Sequence, residues 1–240
     1  MNQTETDNIT WALGAFREVK PGSSLTRVQR FAFYRDYYEG RHKLTFATQK
    51  FMDTFGDTFQ AMAENLCPAV VDSVTDRLQL QGFTAASGAD AARVAAECQE
   101  IRRRNRMDRR DGEKFRDALI CGENYVMVWP DRNDRTKPII YPQTPENVVV
   151  KYHDEQFGFI IQAAKFWIEK IGKDSQCRLN LYFPDRIEKY VSTGKATTLP
   201  EKATAFKYYF EPTQNGLEAW PLPNPYGRVP FFAYINNGSQ

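Results

Sequence analysis

Residues 118–131 read ALICGENYVMVWPD, and the fold class turns on what happens inside this stretch. Up to Cys121 the apolar residues recur every three or four positions, as on one face of a helix. From Asn124 to Trp129 the pattern is that of a strand, closed by Pro130-Asp131. Gly122 stands between them, where a helix C-cap needs a residue free to turn left-handed. Upstream, the helical period continues. A helix is expected from Asp108 to Cys121, and another over Ala89–Arg104 with Ala91, Val94, Cys98 and Ile101 inward. Pro68 suits a helix first turn whose buried face is Val70, Val71, Val74 and Leu78. Phe51, Phe55, Phe59 and Met62 form one apolar stripe. Ser23-Ser24 could cap a helix carrying Leu25, Val28, Phe31 and Ala32 and ending at Gly40. Residues 1–22 are polar, end in Pro21-Gly22, and read as a loosely held tail.

Downstream, strands are expected at Pro138–Tyr141, Asn147–Tyr152, Phe157–Ile168, Cys177–Phe183 and Ile187–Val191, with a turn at Ile171-Gly172-Lys173-Asp174. The last forty residues hold five prolines between aromatic runs and read as extended, packed chain. The fold class is therefore α+β, a helical N-terminal half packed on a mostly antiparallel β C-terminal half. The implied domains are a flexible tail, 1–22, and one domain, 23–240, made of a helical lobe (23–122) and a β lobe (123–240).

Composition bounds the function. The 240 residues carry a net charge of +2, too small for a global field that would draw a polyanion. Hydrophobic residues make up 42%, which excludes wholesale disorder. The polar start carries no secretory signal pattern, and no run is long and apolar enough for a membrane span. Cys67, Cys98, Cys121 and Cys177 are too widely spaced for a redox pair or a zinc knuckle, and they read as buried free thiols.

The chemistry-bearing motifs are nearly absent. His42 and His153 are the two histidines, and neither has a companion at metal-ligand spacing. No nucleophile elbow occurs. Thr193-Gly194-Lys195 lacks the preceding glycine of a phosphate loop and reads as a turn. Asp131 and Asp185 sit at strand ends, but the acidic-x-Lys triplet of a magnesium nuclease does not follow either of them. No catalytic residue, metal or cofactor is expected.

One local feature stands apart. Residues 101–110 read IRRRNRMDRR, with Arg102, Arg103, Arg104, Arg106, Arg109 and Arg110. Guanidinium forks match phosphate oxygens, so the run could contact a phosphate backbone. It could equally form ion pairs across a subunit boundary. It could also be a helix C-terminus whose arginines meet the helix dipole and nearby Asp, with Asn105 as a stop and Asp108 as the next start.

Several blocks carry a family resemblance. They are YYEGRHKL (37–44), NLCPAVVDSV (65–74) with Arg77-Leu78, Gln81-Gly82-Phe83, NRMD (105–108), ALICGENYV (118–126) with Trp129-Pro130-Asp131, LYFPDRIEKY (181–190) and NPYGRVPFF (224–232). In this order they resemble the portal proteins of long-tailed double-stranded DNA bacteriophages.

The resemblance implies a non-enzymatic structural protein of the virion, made in the bacterial host cytoplasm and placed at the capsid portal vertex. It implies a homo-oligomeric ring, a dodecamer, through which genomic double-stranded DNA is packaged and ejected. Its other implied partners are the terminase large subunit, the head-tail connector proteins and the major capsid or scaffolding protein. The chain resembles the wing portion of such a portal, with the stem, clip and crown regions absent. The rival class is a small nucleic-acid-binding module that uses the Arg102–Arg110 run.

Overall fold

The computed structural model describes residues 1–41, 53–54, 65–84, 88, 90–131, 133–156, 158–213 and 216–236. The expected Phe51–Met62 stripe, apart from Asp53 and Thr54, lies outside them, as does His42. The observed class is α+β, with helices in the N-terminal half and antiparallel pairing in the C-terminal half. The helices are α1 (Gln3–Phe16), α2 (Arg27–Tyr38), α3 (Cys67–Thr75), α4 (Ala91–Arg104) and α5 (Met107–Cys121). The strands that follow are β1 (Glu123–Pro130), β2 (Pro138–Gln143), β3 (Val148–Tyr152), β4 (Ile160–Ile171), β5 (Asp174–Tyr182), β6 (Arg186–Ser192) and β7 (Phe206–Tyr208). Four short ones complete the set: β8 (Pro212–Thr213), β9 (Gly216–Leu217), β10 (Leu222–Pro223) and β11 (Phe231–Ile235). Gly122 caps α5 at φ 85°, and the β4–β5 turn has Gly172 at φ 63°, both where the residue pattern requires a left-handed backbone.

The chain divides into two compact units that interleave along the sequence. The first comprises Met1–Val28, Tyr125–Trp129 and Ile140–Ala233. Its six-stranded sheet runs β10-β6-β5-β4-β3, with β7 also paired to β6. Alternation along the strands sends neighbouring residues to opposite faces. Val149, Ala164, Leu179, Leu181 and Tyr190 pack with Ile9, Ala12, Leu13 and Phe16 of α1. Ala163, Tyr182 and Ile187 join Tyr125 of β1 and Phe231 of β11 in a second cluster. Both sheet faces are thus covered, and β6 is almost wholly buried over its length.

Residues 1–22 are therefore not a loose tail. Asn2 and Glu5 form a reciprocal capping box at the start of α1, and its residues at i, i+3, i+4 and i+7 are buried against the sheet. Nor do the compact units follow the expected division at residue 122, because residues 23–28 group with the sheet, and residues 130–139 and the segment from Tyr234 group with the helices.

A buried asparagine closes the first unit's last turn. Asn224 donates to the carbonyls of Phe183 and Arg228 at 2.8 Å each, and its Oδ1 accepts from the Tyr226 N–H at 3.2 Å. Gly227 completes the turn at φ 62°.

The second unit comprises Gln29–Asn124, Pro130–Ile139 and Tyr234–Gln240. Asp72 on α3 accepts hydrogen bonds from the Tyr38 hydroxyl at 2.9 Å and from Arg116 Nε at 3.0 Å, tying α3 to α2 and α5. Arg35 pairs with Asp117 at 2.8 Å. Asn65 Nδ2 donates to the carbonyls of Tyr37 and Tyr38 at 3.0 Å each. The polar side of α3 thus faces its neighbours, with Thr75 buried. Val70, Val74 and Leu78, expected to be buried, are exposed instead. Polar anchoring at Asp72 outweighs the apolar stripe in choosing which side of α3 turns inward.

The thiols also differ from expectation. Cys121 and Cys177 are buried, whereas Cys67 is exposed and Cys98 half-buried, because α3 and α4 turn those positions outward.

Candidate assembly surface of the helical unit

The arginine run occupies the end of α4, a two-residue corner and the first turn of α5. The corner is held from inside. Asn105 is buried, and its Nδ2 donates to the carbonyls of Ile101 at 2.8 Å and Pro138 at 3.1 Å. The left-handed residue is Arg106, at φ 54°, rather than the asparagine. A Cβ-bearing residue there carries a conformational cost of order 1 kcal/mol.

The six arginines do not act alike. Arg102 is buried and pairs with Asp111, which also takes Lys114 Nζ at 2.5 Å; Asp108 meets Arg102 at 3.0 Å. Lys114 lies 4.7 Å from the Tyr234 ring centroid and donates to the Tyr234 hydroxyl at 3.3 Å. Buried charges persist only when paired in this way. Arg103 is exposed and forks onto Glu100, with Nε to Oε2 at 2.8 Å and Nη2 to Oε1 at 2.9 Å. That fork holds the Glu100 carboxyl below its usual range and raises Arg103. Arg104, Arg106, Arg109 and Arg110 are exposed at the corner. One expected contact residue, Arg102, is thus an internal strut, and the other five are at the surface.

Asp111 and Lys114 were not singled out from the sequence. Their signal is faint: a charged pair at i, i+3 on the α5 side that also carries Ala118 and Cys121.

A second surface departs from the expected buried face of Val70, Val71, Val74 and Leu78. Val71 is half-buried, but Val70, Val74 and Leu78 are 65%, 41% and 44% exposed, and Leu66, four residues before Val70, is 62% exposed. The opposite side of α3 is fixed by Asp72. Burial and the hydrogen bond to the Asp72 carboxylate raise the Tyr38 phenol above its ordinary 10.0. The same carboxylate raises Arg116 through its hydrogen bond. Two blocks that carry the family resemblance, through their described residues 37–41 and 65–74, therefore meet at the Tyr38–Asp72 contact.

The other sequence-flagged residues have local roles. His153 Nδ1 accepts from the Glu155 N–H at 3.1 Å in a turn. At Thr193-Gly194-Lys195, the Gly194 carbonyl accepts from Ser192 Oγ at 2.7 Å and Lys195 pairs with Asp174 at 2.5 Å, as in an ordinary turn. Asp185 pairs with Arg186 at 3.1 Å. Among the described residues, no group of three or more His, Cys, Asp or Glu could hold a metal ion. No described helix is long and apolar enough to cross a membrane.

The model of a family described as Phage portal protein, SPP1 Gp6-like, matches residues 18–240. No curated protein matches the chain.

Proposed function

We propose a role as a portal-ring subunit from one premise: the chain belongs to the SPP1 Gp6-like family of phage portal proteins. Its role is structural, in the portal of a phage capsid. Beyond that, residues 23–240 act as the wing-like part of a homo-oligomeric ring, a dodecamer. Genomic double-stranded DNA passes through this ring during packaging and ejection. The terminase large subunit docks on it, then the head-tail connector proteins, while the major capsid or scaffolding protein surrounds it. The subunit is made in the bacterial host cytoplasm and works in the virion. The observation that carries the reading is the family match over residues 18–240.

The α3 surface supports self-assembly. Soluble monomers rarely leave a contiguous apolar patch open, and such patches mark contact sites. Val70 and Val74 on the anchored helix, with Leu66 just before it and Leu78 just after it, are branched aliphatic groups suited to burial against a neighbouring subunit.

Native mass spectrometry of the protein taken from its particles tests the proposal. A closed ring of identical subunits is expected, and Val70→Glu with Val74→Glu should lower the copy number while the helical circular dichroism stays unchanged. A single subunit at every concentration would sink the ring.

A further inference from the structure

We infer that the α4–α5 corner is a docking surface for a short acidic segment of a partner protein. The inference stands on the corner's own geometry, whether or not the chain closes into a ring. Arg102 is taken by the buried Asp111 and the exposed Asp108, and Arg103 is held by Glu100. Arg104, Arg106 and Arg109 are exposed within six positions, beside the exposed Arg110. Like charges brought this close repel one another, so the arrangement does not serve the fold of α4 and α5. Arg109 also stands in the first turn of α5, where the helix dipole disfavours cations. An external anion relieves both.

The corner is built to hold its arginines in place. Asn105 fixes the backbone through the Ile101 and Pro138 carbonyls, and the buried Arg102–Asp111–Lys114 set locks α4 to α5. A partner therefore has only side chains to order, not the loop.

Carboxylate fits better than a nucleic-acid backbone. Exposed acids lie near the patch, with Glu97 and Glu100 on α4 and Glu113 on α5. A duplex carries a charge about every 1.7 Å along its axis, so its phosphates would extend past the corner and meet those acids. A short acidic segment ends before reaching them. The side-on fork between Arg103 and Glu100 shows the required chemistry already formed at this corner.

The test uses the full chain and a fluorescein-labelled deca-glutamate peptide, with anisotropy read over a salt series. Wild type should bind, and the triple variant Arg104→Gln, Arg106→Asn, Arg109→Gln should bind at least about tenfold more weakly, the sum of three exposed ion pairs. Asn is chosen at 106 because it tolerates the left-handed backbone. Lys170→Gln with Lys173→Gln, on the exposed β4–β5 turn, should leave binding unchanged. Wild type that ignores the peptide overturns the inference, as does a folded triple variant that binds equally well. Tighter binding of a short DNA duplex than of the peptide, lost in the triple variant, would overturn it in favour of nucleic acid. Should the triple variant not fold, the single variants Arg104→Gln and Arg109→Gln decide, each expected to weaken binding about twofold.

Discussion

Asp111 accepts two cations in a place where water is scarce: Arg102, Lys114 and Asp111 are each less than a tenth exposed. Removing one partner of such a set leaves charge buried without compensation. Asp111→Asn should therefore cost about 3–5 kcal/mol of stability, read as a shift in the urea midpoint. A loss below about 1 kcal/mol would show that Arg102 and Lys114 reach water once the carboxylate is gone. At this scale the sequence was only partly legible. The run of arginines was plain, but nothing local separates Arg102 from Arg103. The difference arises because the chain reverses at Asn105-Arg106 and returns Asp111 beside Arg102 and not beside Arg103. That pairing is a product of tertiary geometry.

Helix α1 and helix α3 show opposite failures of the same pattern. In α1 the signals were present, since Asn2 and Glu5 have capping-box spacing and Ile9, Ala12, Leu13 and Phe16 have helical spacing. The polar composition points to a tail and the period to a helix, and burial of those four residues decides for the helix. In α3 the period was read correctly, but the stripe of Val70, Val74 and Leu78 faces outward. Apolar spacing is identical for a core face and an assembly face, so one sequence does not separate them. Asp72 does, once Tyr38 and Arg116 are seen to grip it. The switch of period at Gly122, by contrast, was fully legible, because a helix and a strand impose different repeats. For α1, Phe16→Ala should destabilise by about 3–5 kcal/mol, since its ring is buried against the sheet and meets Phe166 edge-on at 4.8 Å. Chemical denaturation followed by tryptophan fluorescence would register it. An unchanged midpoint would return the segment to a tail.

At the scale of the whole molecule, α+β was readable from the order of elements, whereas the grouping into units was not. The first unit gathers the N-terminal helix, five residues of β1 and most of the last hundred residues, a contact pattern of long sequence separation. Local propensity carries no record of such contacts. The ordered blocks were the more informative signal, and the family match spans the same stretch of chain. The physical reasons for some blocks are now apparent: residues 37–41 and 65–74 meet through Tyr38 and Asp72, while residues 224–227 lock a turn through Asn224. Membership of the family puts this chain at the portal of a phage capsid. The most direct test is gold-labelled antibody against the chain on gently opened virions, viewed by electron microscopy. Label at a single vertex of each capsid is the expected result. Label spread over the whole shell, or absent from every particle, would contradict it.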